Sequence, residues 1–145
     1  MLRLGTFYTA IFLAVFVCLL AGCGSDNVPL RGKVTFSDNG EPVPVGTVAF
    51  LKEGRIARGT IRTDGTYIVG FERQTDGMPP GKYEVFISGA QKLIGTSADG
   101  DPIFELLIGE KYTAASTSGL TLEVNASTKV FNIEVERYVP TPGRR

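Results

Sequence analysis

An all-β fold, a seven-stranded antiparallel Greek-key sandwich, is predicted by three features of this chain. From residue 29 onward, short segments alternate apolar and polar side chains, the period of a strand with one packed and one wet face. Gly, Pro, Asp and Asn separate those segments at close intervals, as antiparallel strands joined by tight turns require. No stretch beyond residue 29 sustains a helical period.

The elements follow in order. In the first segment Leu30, Gly32, Val34 and Phe36 alternate with Arg31, Lys33 and Thr35, so the first set packs and the second stays wet. Asp38-Asn39-Gly40 turns the chain. The second segment, 46–52, carries Val48 and Phe50 inward, after Pro42 and Pro44 have kept its approach extended and off a central ladder position. Glu53-Gly54 marks the next reversal. The third, 56–62, points Ala57, Gly59 and Ile61 inward and leaves Arg58 and Arg62 outside. Asp64-Gly65 reads as a two-residue hairpin turn, with Tyr67, Val69 and Phe71 alternating after it. A turn-rich bridge, 75–80, leads to the clearest strand, 81–87, whose core face is Tyr83, Val85 and Ile87. The last two strands are 120–124, with Leu120, Leu122 and Val124 inward, and 129–136, with Phe131, Ile133 and Val135 inward. Seven strands suit a Greek-key sandwich.

Residues 90–119 are too many for a structureless connection in a compact domain. Asp101-Pro102 is a helix-start signal and Gly109 a stop, so 102–108 is expected to form about two helical turns; an eighth, edge strand is the alternative. Ile103, Phe104, Leu107 and Tyr112 within this segment are the candidate interaction residues, because an apolar patch there would suit a protein partner. Phe86, Tyr112 and Tyr138 have no evident core position, and two or three coplanar exposed aromatics would instead suit a sugar. The tail, 138–145, is rich in Pro, Gly and Arg and is expected to be disordered.

Residues 1–22 read as a targeting segment: Arg3, an apolar run over 7–20, then small residues before Cys23. Leu20-Ala21-Gly22-Cys23 resembles the lipobox of bacterial lipoproteins, in which the cysteine sulfur receives a diacylglycerol and the preceding peptide bond is cut. The resemblance implies cleavage between Gly22 and Cys23, lipidation of Cys23 and a bacterial envelope location. Two or three acyl chains, at roughly 0.8 kcal/mol per buried methylene, hold a protein on a membrane far more durably than one. Gly24 and Ser25 lack the aspartate that retains enterobacterial lipoproteins at the inner membrane, so the outer membrane is expected. Residues 23–28 form a lipidated linker and 29–137 a single domain.

Composition narrows the function. Lys plus Arg equals Asp plus Glu at 15 each, giving zero formal charge, and no basic stripe suggests nucleic acid as a partner. The chain has no histidine, which excludes a Ser-His-Asp triad, a Cys-His pair and the common zinc sites. Of its two cysteines, Cys18 falls in the cleaved segment, leaving no disulfide. Asp99-Gly100-Asp101 lacks the ligand pattern of a calcium loop, and no metal or cofactor is expected. An intramolecular Lys–Asn bond would draw on Lys33 and Asn132, but period two puts both on wet faces.

Several motifs together resemble carboxypeptidase regulatory-like, or transthyretin-like, domains. Leu30-Arg31-Gly32-Lys33-Val34 is similar to their first strand, and Glu41-Pro42-Val43-Pro44-Val45-Gly46-Thr47-Val48-Ala49-Phe50 to their proline-led second strand. Thr63-Asp64-Gly65-Thr66-Tyr67 is similar to the Asp-Gly-x-aromatic turn, and Pro80-Gly81-Lys82-Tyr83-Glu84-Val85 to the Pro-Gly-x-Tyr-x-Val element. Lys111-Tyr112 with Thr117-Ser118-Gly119-Leu120-Thr121 is similar to the C-terminal part of small planctomycete-type envelope lipoproteins. The likeness implies a transthyretin-like sandwich and no enzymatic activity. The expected function is a non-catalytic structural or protein-interaction module, held to the membrane by lipid and contacting an envelope protein or polysaccharide. A ligand-binding module, with carbohydrate first, is the alternative.

Overall fold

The computed structural model describes residues 26–140. Nine strands form among them: β1 (Arg31–Phe36), β2 (Thr47–Lys52), β3 (Arg55–Thr60), β4 (Thr66–Ile68), β5 (Gly81–Ser88), β6 (Gln91–Thr96), β7 (Pro102–Leu106), β8 (Leu120–Val124) and β9 (Ile133–Val135). Seven correspond to the predicted segments and make two sheets, ordered β4-β1-β9 and β3-β2-β5-β8. The remaining two, β6 and β7, form a separate ribbon, so the count is nine rather than seven. An all-β sandwich is what the alternation foretells, and its inward faces are where that alternation puts them. Val34, Phe36, Tyr67, Ile133 and Val135 from the first sheet meet Val48, Phe50, Ala57, Tyr83, Val85, Ile87 and Val124 from the second, all buried.

Three expectations change. Pairing is mixed, because β9 runs parallel to β1, with Val34 opposite Ile133 and Phe36 opposite Val135. The Asp64-Gly65 turn does form, closed by the Arg62 N–H on the Thr66 carbonyl at 2.9 Å, but it carries the chain from one sheet to the other. Beyond it β4 pairs with β1, and a single bridge, Arg58 to Gly70, joins β3 to the segment after β4. Residues 102–106 extend as β7 instead of coiling into a helix. There the cross-strand partners of β6 satisfy the backbone that a short isolated helix would have left to water. The helical content of 90–119 lies later, in a 3-10 turn at Glu110–Thr113 and one turn, α1, at Ala115–Ser118.

Tyr67 locks the two sheets. Its ring is buried, 6.3 Å between centroids from Phe50, which in turn meets Phe131 edge-on at 6.3 Å. Its hydroxyl donates to the Phe131 carbonyl. That carbonyl is the acceptor a regular parallel ladder would offer to the Lys33 N–H; Lys33 donates instead to Oδ1 of Asn132 at 3.1 Å. Two glycines make room: a Cβ on Gly59 would lie 2.8 Å from the Tyr67 ring, and one on Gly32 would strike the Phe131 carbonyl oxygen. Lys33 and Asn132 thus do meet, through the lysine backbone.

Smaller anchors fix the edges. Asp76 accepts backbone N–H groups from Phe71 at 2.6 Å, Arg73 at 3.1 Å and Glu72 at 3.2 Å, wrapping 71–76 around one carboxylate. These bonds, that of Phe71 foremost, hold its carboxyl below the usual range. Arg137 lies 3.8 Å over the Phe36 ring and bonds Asp38 at 2.8 Å and Glu41 at 2.7 Å, pinning the segment after β9 to the first turn. Buried Ser118 donates to the Val85 carbonyl and accepts from the Leu120 N–H, seating α1 against β5. The first residue in the ladder is Val28, which exchanges backbone bonds with Met78 at 2.7 and 3.0 Å.

Gly32→Ala should lose about 3 kcal/mol, because the obstructing atom is backbone and cannot swing away; roughly 10 °C in the melting temperature would show it. Tyr67→Phe keeps the ring but strands the Phe131 carbonyl, and equilibrium denaturation should register a loss of about 1.5 kcal/mol. Burial raises the Tyr67 hydroxyl well above its ordinary value of 10.0. Its stabilising share is therefore complete below about pH 10 and fades as the unfolded chain ionises above that. The fall in stability on alkaline titration should be shallower in Tyr67→Phe than in the parent. At the acid end the sign reverses: the Asp76 contribution is present above its ordinary 3.8 and lost as pH drops through its lower folded value. Asp76→Asn should flatten the acid limb of a pH-dependent melting series.

Candidate functional site

The β6–β7 ribbon is the part of the molecule whose shape the sandwich does not need. Leu93-Ile94-Gly95-Thr96 and Pro102-Ile103-Phe104-Glu105-Leu106 are apolar, strand-forming runs on either side of turn residues. The turn closes through the Ser97 N–H on the Asp101 carbonyl at 2.8 Å and the Asp101 N–H on the Ser97 hydroxyl at 3.0 Å. Cross-strand partners run Gln91–Leu106, Lys92–Glu105, Leu93–Phe104, Gly95–Ile103 and Thr96–Pro102, with Ile94 as an unpaired bulge. A bulge strengthens local twist and interrupts an edge.

The base of the ribbon is rigid. Ala90 is buried, and its carbonyl accepts from the Leu107 N–H at 2.9 Å. The Leu107 carbonyl accepts from the Tyr138 N–H at 3.1 Å, and the Gly109 N–H donates to Glu136 at 2.9 Å. Ile108 and Tyr112 sink into the core beneath. Tyr138, the first residue of the predicted tail, is thus paired and half-buried, while the expectation for 141–145 lies outside the described residues.

Above that base, every residue of β6 is exposed. Leu93 is 61% exposed, Ile94 55%, Phe104 51% and Ile103 43%, an uncommon concentration for side chains of this kind. Leu93 and Phe104 stand directly opposite one another on one face. The other face carries Ile103 together with the Lys92–Glu105 pair at 2.9 Å. The lysine is mostly exposed and the glutamate about one third exposed, so solvent screens their attraction and it adds little stability; they set register and keep one face soluble.

The four candidate residues therefore separate. Ile103 and Phe104 are on the exposed ribbon; Leu107 is half-buried against the core at its base; Tyr112 is buried, with the Lys111 ammonium 4.9 Å over its ring, and cannot meet a partner. Leu93 and Ile94 were not legible as site residues while 90–119 read as one loop, although the Asp99-Gly100 turn between two apolar runs is a hairpin signal. Phe86 and Tyr138 are half-buried, so the three aromatics considered for stacking form no exposed platform. Asp99 and Asp101 sit in the solvated ribbon turn, and no group of three metal-ligating side chains converges among the described residues. No helix among the described residues is long and apolar enough to cross a membrane. Cys23 and the cleavage position lie outside the described residues.

No family model matches the chain, and no curated protein matches it. Among solved structures it is similar to BcpA, the major pilin subunit of Bacillus cereus, with a TM-score of 0.43 and 12% identity over 77% of this chain and 30% of that one. It is similar also to a 9R-lipoxygenase from Cyanothece, with a TM-score of 0.41 and 12% identity over 82% of this chain and 18% of that one. The chain spans less than a third of the length of either protein. Its class, a β-sandwich, stands on its own two sheets.

Proposed function

We propose that this chain is a non-catalytic interaction module of the bacterial envelope, of carboxypeptidase regulatory-like type, anchored by lipid on Cys23 and presenting the β6–β7 ribbon to a partner protein. The observation that carries the reading is the exposed apolar set Leu93, Ile94, Ile103 and Phe104 on a rigidly rooted two-stranded ribbon. A ribbon with apolar groups on both faces suits a protein cleft or the edge of another sheet, where main-chain bonds and alternate side chains are used together. A bilayer is a poorer occupant, because the ribbon tip holds Asp99 and Asp101 and would have to bury them or meet anionic headgroups.

The tether supports the same reading. Val28 already belongs to the fold, so only residues 24–27 separate it from Cys23, a reach of roughly 15 Å at full extension. The partner must then lie close to the membrane that holds the lipid. Lack of histidine supports a role without acyl-transfer or zinc chemistry, and the order of the Pro-Gly-x-Tyr-x-Val and Asp-Gly motifs supports the family. The outer membrane is the proposed location.

The test has two arms. Intact mass and membrane fractionation of the native protein should give a chain beginning at acylated Cys23, and Cys23→Ala should leave the membrane fraction or stay unprocessed. A photo-reactive side chain at position 104 should give one discrete protein adduct in intact cells, lost in Leu93→Asp with an unchanged melting temperature. Adducts to lipid alone, or a protein adduct indifferent to Leu93→Asp, would remove the ribbon from the proposal.

A further inference from the structure

A second surface, independent of the ribbon, lies on the far edge of the four-stranded sheet. There β3 is an edge strand; its outward face carries Arg58 and Thr60, and the exposed Arg62 follows two residues beyond its end. The loop wrapped on Asp76 rises opposite and contributes Arg73 and Gln74. Between them runs an open groove of about 560 Å³, lined also by Ile68.

Three properties characterise this groove. Its guanidiniums are not neutralised: among the described residues Arg58, Arg62 and Arg73 make no ion pair, whereas Arg137 makes two. The carboxylates at hand are Glu72, on the wall, and Asp64, beside Arg62, whose oxygen already accepts from the Thr66 hydroxyl and N–H at 2.6 and 3.0 Å. The groove is also built. Arg58 exchanges backbone bonds with Gly70 at 2.9 Å in both directions, and three N–H groups on Asp76 fix the opposite wall. Finally, Thr75, lining that wall, has φ +76°, a left-handed conformation that a β-branched residue adopts only at a cost. Strain of this kind collects where a surface is shaped for a ligand.

The lining says what the ligand is. Three guanidiniums set on the two walls of one groove, Arg58 and Arg62 on one side and Arg73 on the other, offer more fork sites than a single carboxylate can fill. Two anionic groups on an extended chain would be needed, each met by a planar guanidinium that binds carboxylate in a fork. Thr60 and Gln74, placed between and opposite, offer hydroxyl and amide groups suited to sugar hydroxyls. We propose that this groove binds an acidic glycan, a saccharide chain bearing carboxylates at intervals, with Arg58, Arg62 and Arg73 as the anion-binding residues.

The experiment is calorimetric titration of the full chain in detergent micelles with oligogalacturonate of defined length, a neutral oligosaccharide of equal length, galacturonate monomer and a single-stranded oligonucleotide. The oligomer should bind, weaken as salt is raised, and outbind monomer, neutral chain and oligonucleotide by at least about tenfold. Arg58→Gln with Arg62→Gln should abolish most of that affinity at unchanged melting temperature, and Glu72→Gln should raise it about two- to threefold by removing the opposing charge. A gain in Glu72→Gln cannot come from misfolding. Equal binding of the neutral chain or the oligonucleotide, no binding, or affinity indifferent to the arginine pair would overturn the assignment. Leu93→Asp should leave glycan affinity intact, so failure of the ribbon reading and failure of this one are separate results.

Discussion

A phenol buried between two sheets sets the terms for the rest of this fold. Tyr67 cannot leave its hydroxyl unpaired in an apolar interior, and its partner is a backbone carbonyl, that of Phe131. Taking that acceptor from the ladder forces a substitute for the Lys33 N–H, which the Asn132 side chain supplies. Bringing the ring this close to two strands requires positions without a side chain, at Gly32 and Gly59. One hydrogen bond therefore dictates residues on β1, β3 and the approach to β9, and these belong to both layers of the sandwich. The local rule of strand pairing yields here to a tertiary requirement.

The legible part of the fold was the part governed by period two. Val34, Phe50, Tyr83, Val85 and Ile133 each sit on the face that alternation assigned to them, because a one-residue slip would turn an entire apolar set to water. Partner choice was less legible. Asp64-Gly65 encodes a tight turn, and whether the strand after it stays beside β3 or crosses to β1 is decided by where Tyr67 can be buried, far from the turn. The direction of β9 relative to β1 leaves no local mark at all. In 102–106, the Asp-Pro start and Gly109 stop outvoted the strand-forming Ile103 and Phe104, and only the presence of β6 alongside settles the matter. Of the site, Ile103 and Phe104 were readable as apolar residues in a polar neighbourhood. Tyr112 was not distinguishable from them, since burial under a loop is a property of the tertiary fold. The row Arg58, Thr60, Arg62 was legible as an outward face, but the loop that turns a row into a groove depends on Asp76 gathering three backbone groups.

Both proposed surfaces share an arrangement. Each is a projecting element whose base is tied to the core by backbone bonds: the ribbon through Ala90, Leu107 and Tyr138, the basic wall through Asp76 and Gly70. Rigid roots lower the entropy that ordering a contact surface would otherwise consume. The two also differ in what they offer, apolar area on one and unpaired guanidiniums on the other, so a protein and an acidic polymer need not compete for the same face.

The parallel β1–β9 pair has a bearing on time as well as on shape. Lys33 and its partner Asn132 are 99 positions apart, so the earliest strand of the domain finishes pairing only with the latest. Loop closure over that distance is entropically unfavourable until many other contacts exist. The three-stranded sheet is thus a late event, and Tyr67 finds its acceptor only when residue 131 arrives. A chain emerging in order from a ribosome would keep this sheet open until residues 133–135 had emerged, so the first strand made is also the one that waits longest for its partner.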